Sequence, residues 1–120
     1  MSLLVHTFVR RPDGDWELLE DPPYGRTLAG FERTRTHLWG SAPVRALGAR
    51  FLPRLATTDL LVDHPDLDAF LTECATLRTH HESLATQCGC APDYLTARLD
   101  NITAAAHRAK SEPTGGVLIW

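Results

Sequence analysis

Residues 3–10, LLVHTFVR, alternate loosely between apolar and polar positions; RPDGD interrupts the pattern and WELLE resumes it. Proline presets φ, aspartate bonds its own backbone and glycine accepts positive φ, so Pro12-Asp13-Gly14 reads as a turn. The expectation is a hairpin with strands near 3–10 and 15–19. Asp21-Pro22-Pro23 then stops regular structure.

From Thr27 the spacing changes. Leu28, Phe31 and Leu38 recur at helical intervals within LAGFERTRTHLW, which predicts a helix capped by Thr27 and ended by Gly40. A shorter helix is expected to begin at Pro43 and to close before Pro53. LATTDLLV is rich in threonine and branched aliphatics and suggests a strand near 55–62. Leu67, Phe70, Leu71, Cys74, Leu77, His81, Leu84 and Cys88 then form one stripe, which predicts an unbroken helix of about 20 residues. Asp66 and Asp68 suit its positive end, and Gly89 ends it. Pro92 opens the next helix, whose stripe is Leu95, Leu99, Ile102, Ala106 and Ala109. So short a link between two long helices folds them into an antiparallel hairpin.

The chain ends in GGVLIW. Val117 and Ile119 face one way, Leu118 and Trp120 the other, so a strand here is apolar on both sides and belongs inside a sheet. The helix before it allows a parallel crossover to an earlier strand. The expected order is ββααβααβ: a small α/β domain, with α+β as the variant. One sheet of about four strands packs with the helical hairpin, in a single globular domain over 1–120.

Composition narrows the class without naming an activity. The 120 residues are 43% apolar and 22% charged, with a net charge of −3, so the bulk numbers give no reason to expect nucleic-acid binding. MSLLVHTFVRR lacks the order of a secretory signal, and no apolar run approaches the roughly 20 residues of a membrane span. A cytoplasmic protein with no membrane association is expected. Three cysteines do not make a disulfide framework. Of the twelve basic residues only Lys110 is a lysine; a high-GC bacterial source accounts for that bias.

Charge is segregated along the chain. Residues 12–21 carry Asp13, Asp15, Glu17, Glu20 and Asp21 for a net of −5. Residues 26–54 carry six arginines against Glu32 for +5, and residues 59–82 carry six acids against Arg78 for −5. Either the blocks neutralise one another in the fold or they make a bipolar surface that steers a charged partner. A homodimer that sets the arginine block against its own acids would satisfy those charges reciprocally.

Two clusters raise the question of chemistry. THHESLATQCGC places His80, His81, Cys88 and Cys90 close in sequence. On an unbroken helix Cys74 and Cys88 lie about 21 Å apart and cannot share a metal. Only a helix frayed near Ser83 would gather the two histidines with Cys88 and Cys90. The second cluster, Asp59, Asp63, His64, Asp66 and Asp68, sits at a strand end and helix start, where carboxylates and a histidine can serve hydrolysis or metal binding. No phosphate-binding loop, dinucleotide fingerprint, zinc-protease motif or nucleophile elbow is present. No catalytic residue, metal or cofactor is assigned.

The expected function is therefore a non-catalytic protein-binding module with a partner that is itself basic. In size, charge and architecture alone the chain resembles bacterial inhibitor or immunity proteins that cover a toxin's active site, and it carries no motif of such a family. On that resemblance Asp13, Asp15, Glu17, Asp59, Asp63 and Asp66 are the contacts. Trp16, Trp39 and Tyr24 are the aromatic anchors to consider, Trp16 first. The competing expectation is a small metal- or thiol-dependent enzyme or sensor built on His80, His81, Cys88 and Cys90, or on Asp59, Asp63 and His64.

Overall fold

The computed structural model describes residues 2–23 and 25–120. β1 (Ser2–Arg10) and β2 (Trp16–Leu18) pair antiparallel through the turn expected at Asp13-Gly14. Gly14 takes φ +92°, and the Asp13 carboxylate accepts from the Asp15 amide at 3.0 Å.

The helix expected from Thr27 is corrected. Leu28–Phe31 is β3, an antiparallel partner of the first residues of β1. Gly30 sits at φ +134°, outside the helical region, and its missing side chain admits Thr34. The unpaired edge of β1 outweighs a helical spacing only three apolar residues long. What remains helical is a single π-helical turn, Arg35–Trp39, closed by the Gly40 amide on the Arg35 carbonyl at 2.8 Å. α1 (Ala42–Ala46) follows, with Ser41 as its cap. Pro53 lies inside a 3-10 turn, Leu52–Ala56, so the strand expected from residue 55 shortens to β4 (Leu60–Val62).

The long helix is also corrected: it is two, α2 (Leu67–Thr79) and α3 (His81–Cys88), separated at His80. No proline or glycine breaks it. Thr72, Thr76 and Thr79 each donate a hydroxyl to the carbonyl four residues back, and His80 turns its Nδ1 onto the Thr76 carbonyl. Such back-bonding bends helices. Leu77 and Leu84 stay buried on either side of the bend, so the apolar stripe hid it. Gly89 ends α3 in the left-handed region, and α4 (Pro92–Lys110) opens on its proline.

β5 (Gly115–Ile119) enters the sheet between β1 and β4 and is buried throughout. It runs antiparallel to both neighbours, which removes the parallel crossover. The order is β2-β1-β5-β4, with β3 paired to β1 as the fifth strand. Val5 N donates to Thr27 O and Leu19 N to Thr7 O, so β2 and β3 share one edge of β1. The result is a mixed domain of four helices and a five-stranded antiparallel sheet, α+β in kind.

The core lies between the helices and one sheet face. Leu3, Val5, Leu60, Val62, Val117 and Ile119 meet Phe70, Leu77, Leu95, Leu99 and Ile102 there. Thr7 joins the layers by donating to the Ala105 carbonyl at 2.8 Å. Cys74 is part of this core, and burial pushes its thiol up to about 12. Trp39 is buried with its indole N–H on the Ala29 carbonyl at 3.0 Å.

Glu73, on α2, is the one buried carboxylate among the described residues. It accepts the consecutive amides of Arg50, Phe51 and Leu52, and so ties the start of the 3-10 turn to α2. Glu73→Ala leaves those donors without acceptors and is expected to cost about 3 kcal/mol. Gly115→Ala brings a methyl against the Ala109 backbone and is expected to cost about 2 kcal/mol. Chemical denaturation measures both; unchanged midpoints would contradict the packing described.

Candidate functional site

Strand alternation places a second set of residues on the face that the helices do not cover. On β1 these are His6, Phe8 and Arg10. Across the ladder Phe8 stands beside Leu18 and Gly116, Arg10 beside Trp16, and His6 beside Leu118, which in turn pairs with Leu61. Two apolar rows therefore cross the sheet, Leu18-Phe8-Gly116 and His6-Leu118-Leu61. Phe8 and Leu118 are buried, yet neither joins the core under the helices.

Local contacts hold this face together. The Phe8 ring lies over Gly116, where any side chain would meet it. Trp16 approaches Phe8 edge-on at 5.6 Å, and the Arg10 guanidinium lies 5.5 Å from the same ring centre. Trp120 donates its indole N–H to His6 Nδ1 at 2.9 Å, and His6 Nε2 lies 3.1 Å from Asp21. Nδ1 is thus an acceptor, and the ring proton sits on Nε2 facing the carboxylate.

These contacts leave much of the apolar surface in solvent. Trp16 is 46% exposed, Leu18 37%, Leu61 37% and Trp120 47%. Four of the five exposed large hydrophobic side chains among the described residues lie on this one face; Phe31 is the fifth. Single exposed apolar residues need no explanation; several gathered on one face are a feature that does. An antiparallel sheet facing water normally alternates apolar and polar positions, and this one does not.

The expected acidic contacts divide into two groups around that face. Asp13 and Asp15, on the β1–β2 turn, and Asp66, at the start of α2, are exposed and form no ion pair among the described residues. Glu17 pairs with Arg11, Asp59 with Arg35 at 2.8 Å and Asp63 with Arg10 at 2.8 Å. Among the described residues only the Arg35–Asp59 ion pair joins the arginine block to the second acidic block. Lys110, from outside both blocks, takes Asp68 and holds its carboxyl below the usual range. The oppositely charged blocks are thus mostly not spent on each other. Asp13, Asp15, Glu17, Glu20 and Asp21 border the β2 edge of the sheet, and Asp59 and Asp63 flank β4 at the opposite edge.

Of the aromatic anchors, Trp16 lies on this face. Trp39 is corrected to a core residue. Tyr24 lies outside the described residues.

The two proposed chemical clusters are dispersed. His80 and His81 each turn Nδ1 to a carbonyl of α2, Thr76 and Arg78 respectively. Cys88 and Cys90 instead line a cavity with His37, and Cys88 Sγ lies 3.4 Å from Ser41 Oγ. His64 places Nδ1 on the Gly115 carbonyl at 3.0 Å, while Asp59 and Asp63 hold arginines. Among the described residues no three His, Cys, Asp or Glu side chains gather as a metal site. No helix there is long and apolar enough to cross a membrane.

Leu18, Leu61, His6 and Phe8 were not singled out from the sequence as site residues. The signal was the period-2 spacing of Trp16 with Leu18 and of Leu118 with Trp120, which needs the strand order before it becomes a surface. Compared with protein-family models, curated proteins and solved structures, the chain finds no match in any of the three.

The three thiols should differ in reactivity. In the folded chain at pH 7 iodoacetamide is expected to leave Cys74 unmodified. Burial and the neighbouring Cys88 raise the Cys90 thiol, so Cys90 should react more slowly than an ordinary free cysteine and accelerate as pH rises. Mass spectrometry of the alkylated peptides reads this; rapid native-state modification of Cys74 would contradict the buried placement.

Proposed function

We propose that this chain is a non-catalytic protein-binding module whose docking surface is the helix-free sheet face. The observation that carries the reading is the exposure of Trp16, Leu18, Leu61 and Trp120 on one continuous sheet. The partner is a protein with a basic surface around an apolar patch. Apolar rows form the centre of the contact, and acids at both outer edges form its rim, the usual division between a buried anchor and a polar border. The rim sets orientation and association rate, and the centre sets affinity.

An inhibitor or immunity-type role suits this arrangement. A small acidic domain that presents a rigid sheet can lie across the basic active site of a toxin or other enzyme and exclude its substrate. A bacterial cytoplasmic setting and the absence of any cofactor belong to the same reading. The acids expected as contacts from sequence move from the centre to the border, and Leu18, Leu61 and Trp120 join Trp16 as anchors.

Native mass spectrometry of the chain isolated from its own cells tests this. A stoichiometric basic partner is expected. Leu61→Arg should weaken the complex by about 2 kcal/mol or more, roughly 30-fold in Kd, without lowering the melting temperature. Reversing Asp13 and Asp15 to lysine should chiefly slow association, and more so at low salt. A complex indifferent to Leu61→Arg, or one in which the chain pairs only with its own copy, would overturn the reading.

A further inference from the structure

A second feature lies away from the sheet's open face. Between the π-helical turn and the junction of α3 with α4 is a cavity of about 470 Å³. None of its lining residues belongs to β1, β2, β4 or β5. Its volume falls within the range of small-molecule sites, about 300–1,000 Å³.

The lining is chemically one-sided. Phe31 and Tyr94 line it as an offset stack, with ring planes 13° apart and centroids 5.7 Å apart, and the Arg98 guanidinium lies 5.0 Å from the Tyr94 ring centre. Phe31 is half exposed, so the outer end of that stack is open to a ligand rather than packed under protein. The Tyr94 hydroxyl accepts the Phe31 amide at 2.9 Å, which fixes the stack in place and leaves the phenolic proton free to donate. Leu38 is buried at the same cavity and adds apolar floor. Arg33 lies 5.7 Å from the Phe31 ring centre and forms no ion pair among the described residues. His37, one helical turn further on, offers a ring nitrogen. No aspartate or glutamate lines the cavity.

We propose that this cavity binds a small organic anion with an aromatic body. Its ring lies against the exposed part of Phe31 and the Leu38 floor, and its carboxylate or sulfonate is held by Arg33 and His37. An unpaired guanidinium beside a half-exposed aromatic ring is matched by a ligand that brings both charge and ring, because either part alone leaves one of the two without a partner. Cys88 and Cys90 line the same cavity, so a bound ligand covers both thiols. The site is independent of the protein-docking face.

The test titrates the whole chain with 2-naphthoate and, separately, with the neutral 2-naphthalenemethanol, following backbone amide shifts by NMR. Saturable shifts are expected at residues 31–38 and 88–94, with the neutral compound weaker by about tenfold or more. Arg33→Gln should remove that preference for the anion and leave binding of the neutral compound unchanged. Because Arg33 is an exposed side chain, this variant should keep the parent's spectrum elsewhere. Naphthoate should also slow alkylation of Cys88 and Cys90. Equal affinity for the two compounds, no saturable shift, or shifts centred on Trp16, Leu61 and Trp120 would each overturn the proposal. The last outcome would place aromatic binding on the sheet face and leave the docking reading standing.

Discussion

The last strand made is the one the sheet is built around. β5 lies between β1 and β4 and is apolar on both sides, so it must be covered twice. α4 precedes it by a short link and packs against it, over the face that carries Val117 and Ile119. Gly115 lets the strand leave α4 with almost no separation from the Ala109 backbone. The other side receives only the Phe8 ring over Gly116 and the sparse contacts of Trp16, His6 and Trp120. Central placement of an apolar strand in a sheet with one helical layer therefore produces both the fold's core and its exposed face.

The charges follow from the same arrangement. Arginines and acids do not cancel block against block; Arg10, Arg11 and Lys110 take up nearby acids, and Arg35 alone bridges the arginine block to the second acidic one. Arg33, Arg45, Arg50 and Arg54 form no ion pairs among the described residues. Exposed pairs of this kind contribute little stability, about 0–1 kcal/mol each. Their value lies in the field they leave around the apolar face. Glu73 is different in kind, because its carboxylate satisfies backbone donors inside the protein and carries no surface charge to a partner.

Much of this was legible from residues alone. The Pro12-Asp13-Gly14 hairpin, Gly89 as a stop, Pro92 as a start and the interior placement of Val117–Ile119 follow from local chemistry, and each is found. The failures share a cause. Leu28–Phe31 has helical spacing, but it pairs with an edge of β1 created elsewhere in the chain, and long-range pairing outweighed a short pattern. The bend at His80 arises from side-chain hydroxyls and an imidazole competing for carbonyls within a stripe that stays apolar on both sides. The exposed apolar face was out of reach for a related reason: Leu18, Leu61 and Trp120 come from three distant segments, and only the strand order brings them to one face. Trp39 gave no local sign that its indole N–H would be spent on Ala29.

On the proposed reading, the helix-free face is covered by another protein in the cell. Replacing Leu61 with a photoreactive benzophenone amino acid, and Ala75 on the outer side of α2 as the reference, tests it in living cells of the source organism. One discrete cross-linked species, with a basic protein, is expected from position 61 and none from position 75. Cross-linking from position 75 alone, or none from position 61 under conditions where the chain is folded and abundant, would contradict it.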